Sequence, residues 1–326
     1  MIIYMAPLEG ITGYVYRRAF HETFGGLDRY FTPFLTPHTS CNFNAREKKD
    51  ILPEHNEGIP VVPQILSNNA EDFIRVAEAL LAYGYEEVNL NLGCPSGTVT
   101  ARGRGAGFLA DPKGMEVFFD RIFSALSMKI SVKTRLGMED AKEFETLLEL
   151  YNRYPFSEVI LHPRVREDYY KAPVRRDSFL YAMKQSRNRL CYNGDIFSVH
   201  AYHELEQEMD GIASVMIGRG LIANPGLAQE IKSKTAMTKE QFKQFHDRIL
   251  TGYLDLEMGD KNVLFKMKEL WYYMIHMFPD GKKYAKRIKK AERISDYRIA
   301  VETLFREREL IVDGGFRQFP EKTGVV

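Results

Sequence analysis

Eight short apolar runs, most of them followed by a stretch with helical spacing, predict an α/β fold for this chain of 326 residues. The expected architecture is a TIM (β/α)8 barrel over residues 1–235, followed by a small all-helical C-terminal domain over 236–326. Alternation alone also fits a doubly wound sheet. Two further observations favour the barrel with its appendage. Polar side chains gather at or just past the ends of the apolar runs: Gln64, Asn91, Cys94, Lys133, Arg135, His162, Arg164, Asn193 and Asp195. In a barrel those ends converge on one face, where chemistry is done. Beyond about Met237 the strand-like runs stop and the rest reads as charged helix.

In chain order, Ile2-Ile3-Tyr4-Met5 is the first strand, and residues 14–23 follow with helical spacing. Tyr30-Phe31 is the second strand, and the polar segment from Thr36 to Glu57 reads as a long loop. Val61 to Ile65 is the third strand. Asn69 then caps a helix from Ala70 to Tyr83, with Glu71 and Asp72 in its first turn and Gly84 as its stop. Val88 to Leu92 is the fourth strand. Asp111-Pro112 opens a helix reaching Leu126, with proline at the first helical position. Ile130 to Lys133 is the fifth strand, before a helix over 139–153. Glu158 to Leu161, ending at His162, is the sixth, before a helix near 177–187. Leu190 to Asn193 is the seventh and Ala213 to Ile217 the eighth, with a helix over 198–208 between them.

Composition excludes several classes. Net charge is +1 and apolar content 44%, ordinary for a globular chain. Cys41, Cys94 and Cys191 are widely spaced with no Cys-x-x-Cys pair, so neither a zinc site nor a disulfide framework is expected. No metal is implied. MIIYMAPLEG lacks the basic and long apolar regions of a secretory signal, and no apolar run reaches membrane-spanning length. The expectation is a cytoplasmic protein with no membrane partner and no protein partner implied. The even balance hides an asymmetry. Residues 261 to 298 hold eleven Lys/Arg, among them Lys266, Lys286 and Arg287, against four acids, with Trp271 and four tyrosines interleaved. A solvated helix face is the plain alternative, but so large a local excess favours a polyanion such as nucleic acid.

The run Asn89 to Gly107, NLNLGCPSGTVTARGRGAG, sets Cys94 just past a strand on a glycine-rich backbone. A cysteine with its ordinary pKa of ~8.5 is mostly protonated at neutral pH and can give a proton, or act as a nucleophile if a base activates it. No Cys-His pair is readable. Cys41 and Cys191 are expected to be inert. Gly218-Arg219-Gly220 after the eighth strand, with Asn193-Gly194-Asp195 after the seventh, favours a phosphate site of the kind barrels build there, for a cofactor such as FMN. No Gly-x-Gly-x-x-Gly opens a helix after an early strand, so a Rossmann site is not indicated. Lys133 could lie beside a flavin ring or reach to solvent. His162 could donate to a ligand or be a satisfied core histidine.

The stretches MAPLEGITGYVYR (5–17), VPQI (62–65), NLNLGCPSGTVTARGRGAGFL (89–109), SVKTRLG (131–137), LHPR (161–164), YNGDI (192–196) and VMIGRG (215–220) resemble, in order and spacing, the tRNA-dihydrouridine synthases. The resemblance covers residues 1 to about 230, with a basic helical tail where that family binds tRNA. It implies an FMN enzyme that takes electrons from NADPH and reduces the C5–C6 bond of a tRNA uridine, with hydride going to C6 and a cysteine, here Cys94, protonating C5. Pro7, Leu8, Gln64, Lys133 and His162 would then hold the flavin, and Asn193, Asp195, Gly218 and Arg219 its ribityl phosphate. Asn91, Arg135 and Arg164 would meet the uracil or nearby backbone. A uridine in folded RNA must be flipped out to reach such a site. Arg102 and Arg104 would meet tRNA backbone on a mobile glycine-rich lip, and Lys266, Lys286 and Arg287 would bind tRNA from the tail. The sequence departs from the family pattern at Thr98, where lysine is common, at Gly13, where aspartate is, and at Val165 and Tyr169, where threonine and glycine are usual.

Overall fold

The computed structural model describes residues 1–38 and 43–316, so Cys41 lies outside the described residues. These divide into two compact units. The first comprises Met1–Arg18, Leu27–Gly194 and Met209–Ile217. It holds eight parallel strands: β1 Ile2–Met5, β2 Arg29–Phe31, β3 in two halves (Val61–Val62 and Gln64–Ile65), β4 Glu87–Leu92, β5 Lys129–Arg135, β6 Val159–His162, β7 Leu190–Asn193 and β8 Ser214–Ile217. Proline 63 has no N–H and splits β3. The first half pairs with β2 (Tyr30↔Val61) and the second with β4 (Gln64↔Asn89), so one strand joins both ends of the ladder and the sheet closes into a barrel. The closure is reinforced where the Pro63 carbonyl accepts from Asn89 N–H at 2.8 Å.

Helices follow the strands largely where expected. Ala70–Leu81 begins at Asn69, whose side chain accepts from Asp72 N–H. Pro112–Ala125 begins at Asp111, which accepts from Gly114 N–H. The segment read as a loop from Thr36 to Glu57 instead contains a helix, Ala45–Ile51. Asn44 accepts from Glu47 N–H while the Glu47 carboxylate takes Asn44 N–H, a reciprocal pair that starts a helix even in a polar stretch.

The barrel interior is packed. Tyr4, Ala6, Phe31, Val62, Ile160, Cys191 and Met216 form one buried cluster. Each large side chain so buried contributes ~1.5–3 kcal/mol. Cys191, expected to be packed, is fully buried. Because strand side chains alternate, these residues fix which positions point inward.

The second unit comprises Ala19–Gly26, Asp195–Glu208 and the chain from Gly218 on. It is helical: Val199–Glu208, Arg219–Ala223, Leu227–Ser233, Lys239–Leu254, Asp260–Met274, Gly281–Lys290 and Ile294–Glu307. Phe242, Trp271, Phe278 and Phe305 pack against one another at its centre. There the buried Tyr297 hydroxyl takes the indole N–H of Trp271 and pairs with His246, both at 2.7 Å.

Candidate active site

Period-two alternation extends the inward positions toward the C-terminal strand ends, and the residues there are polar. Val62 leads to Gln64, Ile160 to His162 and Cys191 to Asn193, while Asn89, Asn91, Ser131, Lys133 and Arg135 share the same parity on β4 and β5. Register sets Asn91 beside Lys133 and Arg135 beside His162. The strand-end residues named from sequence in the first unit are therefore brought together.

A buried amide chain runs across three strands. Asn91 donates to Gln64 Oε1 at 2.7 Å, Gln64 to Asn89 Oδ1 at 2.7 Å, and Asn89 to Ser131 Oγ at 2.9 Å. The free end of that chain holds the thiol loop: Asn91 Oδ1 accepts the backbone N–H of Gly93 at 3.0 Å and of Cys94 at 2.9 Å. An asparagine just before a turn commonly accepts such bonds. Cys94 is half-buried. Burial raises its pKa above the ordinary value and the Glu9 carboxylate adds to this, against the Ser96 backbone N–H and the charges of Arg135 and Lys133. The thiol is therefore neutral at physiological pH.

The glycines behind Cys94 serve close packing as well as bending, Gly103 and Gly105 having φ of +62 and +55. A Cβ on Gly107 would lie 2.6 Å from the Thr100 carbonyl oxygen, and one on Gly105 2.9 Å from that of Cys94. Ala106 N–H also donates to Cys94 O at 3.1 Å, so this segment packs against the thiol loop. Arg102 is exposed, and Arg104 reaches Asn68.

Arg135 is fully buried and donates to three carbonyls, those of Gly93 (2.9 Å), Val165 (3.0 Å) and Tyr169 (3.0 Å), with its guanidinium over the Tyr170 ring. It ties the thiol loop to the loop after β6. Tyr169, where the family pattern has glycine, has φ +48 and ψ −101, a conformation that a side chain strains by ~1–3 kcal/mol. Arg164 donates to Ala172 O at 2.7 Å and to His162 Nε2 at 2.9 Å. A neutral His162 ring accepting at Nε2 carries its proton on Nδ1. Lys133 is half-buried. Burial, then the nearby Arg135 charge, brings its pKa down to about 7, against smaller upward influences of Cys191 and Cys94.

The turn after β1 carries Pro7 and Leu8, closed by Thr12 Oγ1, which accepts Leu8 N–H at 2.8 Å. Behind it, fully buried Arg17 donates to Thr12 O and Asp50 O, and to Asn56 Oδ1 at 2.9 Å, with the Asp50 carboxylate 3.7 Å away. A Cβ on Gly13 would meet Asp50 Oδ1 at 3.2 Å. The Asp50 carboxylate thus lies beside position 13 and accepts the Tyr14 N–H at 2.6 Å. Sequence reading missed Arg17, Asp50 and Asn89; the Asn44-x-x-Glu47 pattern was the available signal for the helix that carries Asp50.

In the second unit, Asp195 pairs with Arg219 at 2.7 Å, and the Arg219 guanidinium lies over the rings of Phe197 and Phe316. Gly218 precedes the short helix Arg219–Ala223. Asn193, in the first unit, donates to Met216 O at 2.8 Å. Lys286 and Arg287 are exposed, and Lys266 partly so. Among the described residues no helix is long and apolar enough to cross a membrane.

Comparison with known proteins agrees with this geometry. Morphinone reductase superposes with a TM-score of 0.52 at 12% identity, covering 75% of this chain and 88% of that one, and TcOYE with 0.52 at 11%, covering 78% and 94%. Both likenesses concern the barrel fold. A probable tRNA-dihydrouridine synthase 2 from Bacillus subtilis is 27% identical over 243 residues, 72% of this chain and 73% of its own length. A tRNA-dihydrouridine(16) synthase from Cupriavidus necator is 29% identical over 237 residues, 71% and 73%. The family profile for dihydrouridine synthase (Dus) matches residues 4–309, nearly the whole chain. The chain belongs to the dihydrouridine synthase family and is an oxidoreductase.

Proposed function

We propose that the chain reduces the C5–C6 double bond of specific uridines in tRNA to 5,6-dihydrouridine, with FMN as its redox group, NADPH as reductant and Cys94 as general acid. The observation that carries this reading is a neutral thiol, clamped by Asn91, just past the end of the strand that neighbours half-buried Lys133. Lys133 also supports the flavin. The charge that acts on it is that of Arg135, the buried thiols of Cys94 and Cys191 being neutral, and no carboxylate of the described residues offsets it, so an anionic ring edge is the complement its environment lacks. Bound FMN would supply the hydride that C6 of the uracil receives. Gln64, His162 and the Pro7-Leu8 turn are the further residues assigned to the ring, and Gly218 and Arg219 of the second unit to the phosphate.

The protein's own chemistry is then a proton transfer at Cys94 Sγ. As C6 gains hydride, the S–H bond breaks and C5 takes the proton. The thiolate left behind is stabilised by the same Arg135 and Lys133 charges that lower the Cys94 pKa, and solvent reprotonates it. Arg135 and Arg164 act on the uracil through the loops they hold, since their bonds go to backbone carbonyls and His162. Arg102, Arg104, Lys266, Lys286 and Arg287 are assigned to the tRNA backbone, the last three from a helical tRNA-binding domain starting near residue 236. The purified protein should bind FMN, lose its yellow colour with NADPH and regain it with unmodified tRNA as dihydrouridine forms. Failure to bind FMN, or a reduced protein that tRNA leaves bleached, would overturn the proposal.

A further inference from the structure

Within the helical unit, the helices Asp260–Met274 and Gly281–Lys290 bound an open groove of about 1140 Å³. Its walls differ in chemistry. Phe265 and Tyr272, seven residues apart and so on one helix face, line the groove while 66% and 54% exposed. Single exposed apolar side chains are ordinary, but two large rings on one face of a groove are a surface with a use. The facing helix, GKKYAKRIKK, holds six Lys/Arg and no acid. It lends the groove Ala285 and Ile288 as apolar lining and Lys282, Lys283 and Lys289 as cations, which with Lys268 outnumber the two carboxylates that also line it, Glu269 and Asp280. Protein interfaces deplete lysine at their centre. Flat rings beside a cationic wall match instead a planar group on a polyanionic chain. Double-helical RNA hides its base faces, so the matching group is an unpaired base.

We infer that this groove docks an unpaired nucleobase of the tRNA other than the uridine that is reduced, stacked on Phe265 and Tyr272 with its flanking phosphates on Lys282 and Lys289. The inference rests on the proposed tRNA reading. Stacking on an aromatic platform is worth a roughly 5- to 100-fold change in affinity per base. A Phe265→Ala/Tyr272→Ala variant of the FMN-loaded enzyme should therefore bind tRNA roughly 5- to 100-fold more weakly. Both rings are exposed, so its Tm and its rate of flavin reduction by NADPH should stay those of the parent. Lys282→Gln/Lys289→Gln should reduce the salt dependence of tRNA binding by about two phosphate contacts. A photoreactive benzoylphenylalanine in place of Tyr272 should cross-link one unpaired nucleotide. Cross-linking to stem nucleotides, to a second copy of the chain or to no RNA would overturn the inference, as would tRNA affinity within twofold of the parent in the ring-truncated variant. Normal uridine reduction without the cross-link sinks the groove alone. A cross-link to RNA in an enzyme that reduces no uridine sinks the functional reading alone.

Discussion

Replacing Asn91 separates two accounts of its role. The structure spends its carboxamide on the thiol loop: Oδ1 takes the Gly93 and Cys94 N–H groups, and Nδ2 donates to Gln64 Oε1. Asn91→Ala strands Gln64 Oε1 in a fully buried position, at ~1–3 kcal/mol, and removes the acceptor of two half-buried N–H groups, at ~0.5–1 kcal/mol each. The expected cost is about 2–5 kcal/mol, seen as a Tm lower by several degrees. A Cys94 displaced by ~1 Å should slow protonation of the uracil about 100-fold. Stopped-flow mixing of NADPH-reduced enzyme with unmodified tRNA measures that step, while the preceding reduction by NADPH should be unchanged. Asn91→Asp keeps both acceptor bonds to the loop and loses only the donor to Gln64, so it should retain much of the tRNA step while still lowering Tm. If Asn91 instead bound the uracil directly, Asp and Ala would both abolish the reaction. An Asn91→Ala enzyme reoxidised by tRNA at the parent rate would refute the clamping role.

Lys133, with a pKa of about 7, is largely neutral at pH 8 in the free protein, and an anionic flavin should raise that value. FMN binding at pH 8 should take up a proton, measured by calorimetry in two buffers of different ionisation enthalpy, and Lys133→Met should abolish the uptake. An unfolded lysine keeps its pKa near ~10.4, so between about pH 7 and 10 the unfolded chain binds more protons than the native one. Lys133 thus makes FMN-free stability rise with pH over that window, and the same variant should flatten the rise. Asp50→Ala leaves buried Arg17 without its carboxylate and should cost roughly 3–5 kcal/mol. Adding Gly13→Asp should recover much of the lost Tm, because its Cβ would arise 3.2 Å from the vacated Oδ1 position.

The barrel was legible because parallel strands buried on both faces leave short apolar runs, and because many of the polar residues gather at or just past their C-terminal ends. Pro63 hid inside one such run; its split of β3 follows from a missing N–H that periodicity does not register. The helix Ala45–Ile51 was missed because its residues, AREKKDI, show little apolar periodicity and its start depends on the Asn44–Glu47 pair. At the site, residue types were readable and partners were not. Asn91 and Arg135 look like substrate ligands by charge and position, yet Asn91 holds the turn that directly follows it and Arg135 bonds carbonyls of loops distant in sequence. The glycines at 105 and 107 read as flexibility, although what they avoid is a backbone carbonyl that only the fold brings near, and Gly105 also holds a left-handed φ of +55.

The central claim is that Cys94 gives the proton to C5 as C6 gains hydride, while reduction of the flavin by NADPH does not need the thiol. It is tested by reducing Cys94→Ala with NADPH and following flavin reoxidation by unmodified tRNA in a single turnover. The account predicts parent-like reduction by NADPH and reoxidation slowed by about 10²–10⁴-fold, the usual worth of a positioned acid. Reoxidation at the parent rate, with dihydrouridine formed, would contradict it.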